Sequence, residues 1–476
     1  MSGRPRDVPP PPGPVRPFHF PAFRRHQLSN GLTVVAARSP RAPVVDLALV
    51  FPAGAEQETA DSAGLASMTA SLIDEGTEDR DAIAIATAVA DLGGRLASGA
   101  DWDVGFVEAE LLSHHVEHGL ALLAELATGA TFPGDEIERQ RRRRTTELLR
   151  RRSDPSYLAD ERLIATIYGD SPYGRTLLGD EASLARIDRR RVRDFFTTHY
   201  GLAGGTLVAA GDLDPDALVA RAEAVLGGLD GGVGASPPRH TPPPPGGLRI
   251  EIVDRPRAAQ TELRLGHVGI ERTHADYVPL SLTNTIFGGK FTSRINLNLR
   301  ERHGFTYGAN SRFDTRRGAG PFVVRTAVGT AVAGAALREL LGEIARLRDE
   351  LVEPAELDDA VRYVVGTFPY TLQTSSGLAE RLQTLVVHGL PDDYYDRLPA
   401  AVEAVDRETV REMARRHLRP EELVVVAVGP AAELLPQLGE LGPSTVHRPT
   451  SAADVEAPAT RRAAATSRVR PTRGSS

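Results

Sequence analysis

The chain has 476 residues, 41% of them hydrophobic and 25% charged, with a net charge of −7 and no cysteine. Such a chain can bury more than one core, and it has no disulfide, thiolate metal site or cysteine nucleophile. The acidic balance argues against a nucleic-acid or anionic-membrane partner, and no apolar stretch is long enough to cross a bilayer.

Residues 1–22 are interrupted by prolines where a secretory signal needs an unbroken apolar run, so a disordered leader on a cytoplasmic chain is expected. Arg24 to Ala36 then reads as strand, Asn30-Gly31 turn and strand, and Val44 to Pro52 as an apolar strand. Asp61 to Leu72 reads as a helix, as does Ala82 to Leu92, which Gly93 and Gly94 close. Asp101 to Leu111 alternates like a half-buried strand. Helices follow at Ser113 to Thr128, Pro133 to Arg152, Tyr157 to Tyr168 and Arg189 to Tyr200. Thr206 to Ala210 is a buried strand, and Asp214 to Leu226 is the last helix of this half.

Residues 231–246 include four consecutive prolines, which hold a stiff extended spacer and cannot enter a helix or central strand. They divide a domain at 23–230 from one at 247–442. The second half repeats the first. Ile187, Asp188, Arg189, Val192, Arg193, His199 and Gly211 return as Val405, Asp406, Arg407, Val410, Arg411, His417 and Gly429, each 218 positions later. Strands and helices are mixed without strict alternation, so the fold class is α+β: two tandem sandwich domains, each a mostly antiparallel sheet with helices. Residues 443–476 carry almost no large apolar side chain and are expected to be disordered.

Within the second half, Gly288 to Tyr307 reads GGKFTSRINLNLRERHGFTY. Ser293 can cap a short helix that carries Arg300 to a turn at Gly304, after which a strand holds Tyr307. Lys290 is the only lysine among the 56 basic residues and reads as a loop position.

With its flank and the tandem halves, this stretch resembles the pitrilysin, insulinase and mitochondrial processing peptidase superfamily of zinc metallopeptidases, over nearly all of residues 24–440. The resemblance implies a processing-peptidase-like metallohydrolase fold. It also implies that Arg300 and Tyr307 stabilise the oxyanion formed in peptide hydrolysis, with Gly288 and Gly289 shaping the substrate site. Active members carry His-x-x-Glu-His on a helix, since residues at i and i+4 share a face and can hold one zinc while the glutamate acts as base. Here Gly64, Leu65 and Ala66 lead instead into Ser67, Ala70 and Ser71 at those positions, and Glu147 stands at the third ligand's place.

His114, Glu117 and His118 also spell His-x-x-Glu-His, but on a helical wheel they fall opposite Val116, Leu120, Leu123 and Leu126, on the face expected to meet water. The resemblance therefore implies a non-catalytic subunit, inactive alone, that lends Arg300 and Tyr307 to the zinc of a homologous partner chain. No metal is expected in this chain, and peptides are the expected substrates. The rivals are a scaffold or peptide-binding subunit without catalytic role, and an autonomous zinc peptidase built on His114, Glu117 and His118.

Overall fold

Two sheets built to one plan carry the chain. The computed structural model describes residues 18–232, 242–244 and 246–448, and the backbone of 467–469. The first sheet contains β1 (Phe23–Gln27), β2 (Thr33–Arg38), β3 (Val44–Phe51), β4 (Arg95–Ala100), β5 (Gly105–Leu112) and β6 (Thr206–Gly211) in the order β1-β2-β6-β3-β5-β4. The second contains β7 (Arg249–Asp254), β8 (Gln260–Val268), β9 (Ala309–Phe313), β10 (Pro321–Gly329), β11 (Val424–Gly429), β12 (Ser444–His447) and β13 (Ser467–Val469) in the order β13-β12-β7-β11-β8-β10-β9. Five strands correspond in order, from β2-β6-β3-β5-β4 to β7-β11-β8-β10-β9. The β2–β6 and β7–β11 pairs are parallel, while the remaining pairs within these two sets are antiparallel. Thr206 of β6 and Val424 of β11 are 218 positions apart, the spacing of the repeat read from the sequence.

Each half has its own core between the sheet and its helices. β6 and β11 are buried at every residue, on both faces. The second face is covered by the other half. The helix Pro155–Tyr168 of the first half lays Ala159, Leu163 and Ile167 on Val424, Val426 and Val428 of β11. Reciprocally, the helix Ser375–Val387 of the second half lays Leu378, Leu382 and Leu385 against Val35, Val208 and Ala210 of the first sheet. Side-chain oxygens start both helices, Asp154 accepting from the Ser156 amide and Thr374 from the Gly377 amide. The halves are thus joined by exchanged helices, and that burial explains why the central strands read as continuous apolar runs.

Several expectations need correction. Phe18 and Phe20 lie within the stretch read as leader, yet Phe18 meets Phe368 edge-on and Phe20 stacks on Tyr395, because aromatic surface there is buried between the halves. Pro443 accepts from the Ile250 amide and β12 extends the second sheet, so residues 443–447 belong to the fold and not to a tail. β4, whose RLASGA sequence has no strong alternation, is a strand that the sequence reading left out. The helix expected over Asp61 to Leu72 is confined to Leu65–Ala70, because Gly64 sits at φ +88° with a Cβ position 2.7 Å from the Leu178 carbonyl oxygen. Residues 233–241 and 245 of the Pro-rich linker lie outside the described residues. No helix among the described residues is long and apolar enough to cross a membrane.

Candidate functional site

Glu58 opens the first-half site. Its carboxylate accepts from the backbone amides of Gly64 at 3.0 Å and Ala66 at 2.6 Å, at the amino end of the helix Leu65–Ala70. Burial is the main cause that pushes its pKa up to about 7, against the pull of those two amides. The helix packs Leu65, Ala66, Met68 and Ala70 inward and presents Ser67 and Ser71 to the long helix Gly134–Arg152.

That long helix has a buried stripe of Ile137, Gln140, Arg144 and Leu148. Arg144, only 8% exposed, reaches the two serines. Its Nη1 donates to Ser67 Oγ at 2.7 Å, and its Nη2 donates to the Ser67 carbonyl at 2.7 Å and Ser71 Oγ at 3.1 Å. Ser67 Oγ in turn donates to the Leu177 carbonyl and Ser71 Oγ to that of Met68, so both hydroxyls are committed. Burial lowers the pKa of the guanidinium to about 10, which leaves it charged at neutral pH.

These residues do not fit a zinc ion. The positions that the resemblance aligns with two imidazoles are serine hydroxyls already hydrogen-bonded, Ala70 is fully buried, and a guanidinium stands beside them as a fixed positive charge. Glu147 faces the same cavity as Ser71 and Arg144 but is clamped by Arg150, with two bonds of 2.8 Å, and by Arg151. Those hydrogen bonds hold its pKa down at about 2. Arg144 was missed from sequence. One signal was available, since it lies on the stripe through Ile137 and Leu148 while its arginine neighbours do not.

His114 lies in the tight turn Ser113–His115, ahead of the helix Val116–Gly129 that carries Glu117 and His118. All three are exposed, and the two histidines do not share one helix. Among the described residues, one group has metal-ligand spacing: His274, Asp276 and His417. Its carboxylate already receives Arg416 and His417, each at 2.7 Å.

In the second half, the turn Thr285–Gly289 and the segment Arg294–Arg302 carry the Gly-Gly and Arg300 positions. Gly288 is buried, and a Cβ there would stand 2.3 Å from Ser311 Oγ, so close packing on β9 requires glycine; Gly289 is exposed. Ser293 sits at the helix start as expected, without a side-chain capping bond. Lys290 is not a free loop cation but is buried against Asp359. Arg294 forms a two-bond fork with Glu356 at 2.7 Å each. Asn296 donates to the Phe291 carbonyl at 2.6 Å and accepts from the Ala309 amide at 3.0 Å, tying the loop before the helix to the start of β9.

Arg300 lies over the Phe291 ring at 4.5 Å, with its side chain 36% exposed. Gly304 turns the chain at φ +64° as expected. Tyr307 is in a bend two residues ahead of β9 and not in a strand, because Thr306 and Gly308 bond to each other across it. It is 90% exposed and makes no hydrogen bond among the described residues.

Profiles of a single peptidase family match both halves. The one described as "Insulinase (Peptidase family M16)" covers residues 33–181, and the one described as "Peptidase M16 inactive domain" covers residues 186–364. An "Uncharacterized zinc protease" of Mycobacterium bovis is 26% identical over 427 residues, 88% of this chain and 95% of that one. A solved peptidase M16 inactive domain from Pseudomonas fluorescens is 26% identical with a TM-score of 0.78, over 86% of this chain and 98% of its own. A protease from Helicobacter pylori shares the fold at a TM-score of 0.82 and 18% identity, over 87% of this chain and 100% of its own. With both profiles placed in order on the two repeated halves, the chain belongs to the insulinase family of peptidases.

Proposed function

We propose that this chain is the non-catalytic subunit of a heteromeric zinc peptidase, lending Arg300 and Tyr307 to a homologous partner that carries the metal and the base. The observation that carries this reading is the guanidinium of Arg144 seated between Ser67 and Ser71, where a metal-binding half would need imidazoles. A peptidase-family chain that cannot hold the metal there has a catalytic use only beside one that does.

The exposure of Arg300 and Tyr307 agrees with work done outside the chain. Both present donors to solvent, and Asn296 holds the segments on which they sit. When water adds to a peptide carbonyl, the oxygen gains negative charge, and a guanidinium with a phenol hydroxyl stabilises it by hydrogen bonds. Extended peptides are the expected substrates.

The test begins with co-expression beside the neighbouring reading frame and identification of what copurifies. With a chain bearing His-x-x-Glu-His bound, Arg300→Ala or Tyr307→Phe should each lower peptide turnover on the order of 100-fold. Unchanged turnover in both variants would leave the scaffold reading in place of this one.

A further inference from the structure

The cavity beside Arg144 has a volume of about 840 Å³ and is lined by Ser71, Arg143, Arg144, Glu147, Arg150 and Arg151, with the carboxylates of Asp74 and Glu75 also on its wall. Its charges are not balanced locally. Glu147 is held by Arg150 and Arg151, and Glu75 receives Arg139 and Gln140. Asp74 accepts from Ser98, and burial keeps its pKa above the usual carboxylate range. Two guanidiniums remain without a carboxylate partner among the described residues. Arg144 meets only neutral acceptors and has a buried, unpartnered Nε; Arg143 is exposed and makes no ion pair. The two repel each other, though less than the Glu58 carboxylate, beyond hydrogen-bond reach, attracts Arg144.

A second cavity of about 310 Å³ shares Arg151 and Leu178 with the first. Its surface is largely apolar through Trp102, Tyr157, Ile164, Leu177 and Val323, drawn from both halves, although five arginines and three carboxylates also line it. Trp102 lies under the Arg316 guanidinium at 3.6 Å, which fixes one side of it.

The geometry points to a carboxylate-binding site where the family's metal would stand: Arg143 and Arg144 receive the terminal carboxylate of an extended peptide, and the adjoining cavity receives a bulky apolar side chain next to it. The first cavity is far larger than an inorganic anion needs, and the second adds an apolar surface that such an anion would not use, so a peptide end fits both. Peptide as ligand rests on the peptidase-family reading above; the assignment of Arg300 and Tyr307 does not enter. Binding by the isolated chain tests this site, whereas turnover with a partner tests that assignment, so either can fail alone.

The experiment is fluorescence anisotropy on the purified full chain with a dye-labelled Ala-Ala-Gly-Ala-Phe peptide, as the free acid and as the carboxy-terminal amide. The free acid should bind at least tenfold more tightly. Replacing its terminal Phe by Ala should weaken binding severalfold. Arg143→Gln, at an exposed position, should reduce the acid-over-amide preference, and Arg144→Gln should abolish it. An amide peptide with an internal Glu distinguishes a side-chain carboxylate from a terminal one and should bind no better than the plain amide. Equal binding of acid and amide, no binding of either at millimolar concentration, or a preference untouched by Arg143→Gln would overturn the proposal. So would inorganic phosphate displacing the acid peptide at equal concentration, which would mark a small-anion site.

Discussion

The first-half helix Gly134–Arg152 and its second-half counterpart Pro354–Thr367 each brace the element in front of them, but with opposite charge. In the first half the long helix supplies the cation, Arg144, and the element in front supplies only neutral oxygens from Ser67 and Ser71. In the second half the long helix supplies carboxylates: Glu356 grips Arg294, and Asp359 meets Lys290. Two copies of one scaffold therefore leave different residues unsatisfied. The second half neutralises its inner cations and keeps Arg300 at the surface, beside Glu301 at 3.5 Å and over Phe291. The first half buries a cation with no carboxylate in hydrogen-bond reach, attracted only at longer range by Glu58, and that guanidinium lines a cavity.

What the halves share gives the largest expected effect. Leu163 and Leu382 are both fully buried against the other half's sheet, in corresponding exchanged helices. Leu163→Ala and Leu382→Ala should each cost about 2–5 kcal/mol in urea unfolding, because each leaves a cavity between the halves. A loss below 1 kcal/mol in one alone would break the symmetry of the exchange.

The first-half site should also report itself through pH. A carboxyl whose pKa is higher in the folded chain holds its proton more tightly there, so its contribution is complete below about 4.5 and lost as pH rises to about 7. For Glu58 the loss is on the order of 3 kcal/mol from the shift between those values. Glu58→Gln should flatten unfolding stability across that window. Arg144→Met should steepen it toward higher pH, since the guanidinium is one of the groups that lower the Glu58 pKa. The second half has no matching buried acid at its helix start, where Asp276 is instead held below the usual range by His417 and Arg416.

The two settings predict different responses to losing the arginine. Arg144→Met removes three hydrogen bonds but also a buried charge, and both serine hydroxyls keep their carbonyl acceptors. Its net effect on stability should stay within about 1 kcal/mol, either side of zero. Arg294→Met strands Glu356 in a partly exposed place and should cost about 1 kcal/mol. If Arg144→Met costs several kcal/mol, the guanidinium is a structural brace, and its use in binding loses its physical rationale.

Much of the frame was legible in the letters. The spacing of 218 between Asp188 and Asp406 survives as two helix caps, each accepting from an amide three residues on. Periodicity located most helices of the first half because their apolar faces pack on a sheet. β4 was hidden because its small residues pack by closeness and not by bulk: a Cβ on Gly99 would stand 2.7 Å from the Phe106 ring. Phe18, Phe20 and β12 were hidden for another reason, since partners from distant sequence order them. Ser67, Ala70 and Ser71 could be named from a resemblance, but no local rule shows that a side chain 77 positions from Ser67 fills the space between them.

The smallest effects are expected at the exposed pair, and their smallness is the point. Tyr307 is 90% exposed and hydrogen-bonds to nothing among the described residues, so Tyr307→Phe should change stability by less than about 0.5 kcal/mol. Arg300→Ala loses its place over Phe291 and should cost about 0.5–1 kcal/mol, the usual worth of an exposed cation on a ring. Thermal unfolding of the isolated chain is the measurement. A drop of more than roughly 4 °C for Tyr307→Phe would mean that the hydroxyl supports the fold, since a chain of this size loses about 2–4 °C per kcal/mol at most. With stability unmoved, any fall in partnered turnover belongs to what the hydroxyl meets beyond its own chain, whereas Arg144 acts on what enters the cavity of its own half.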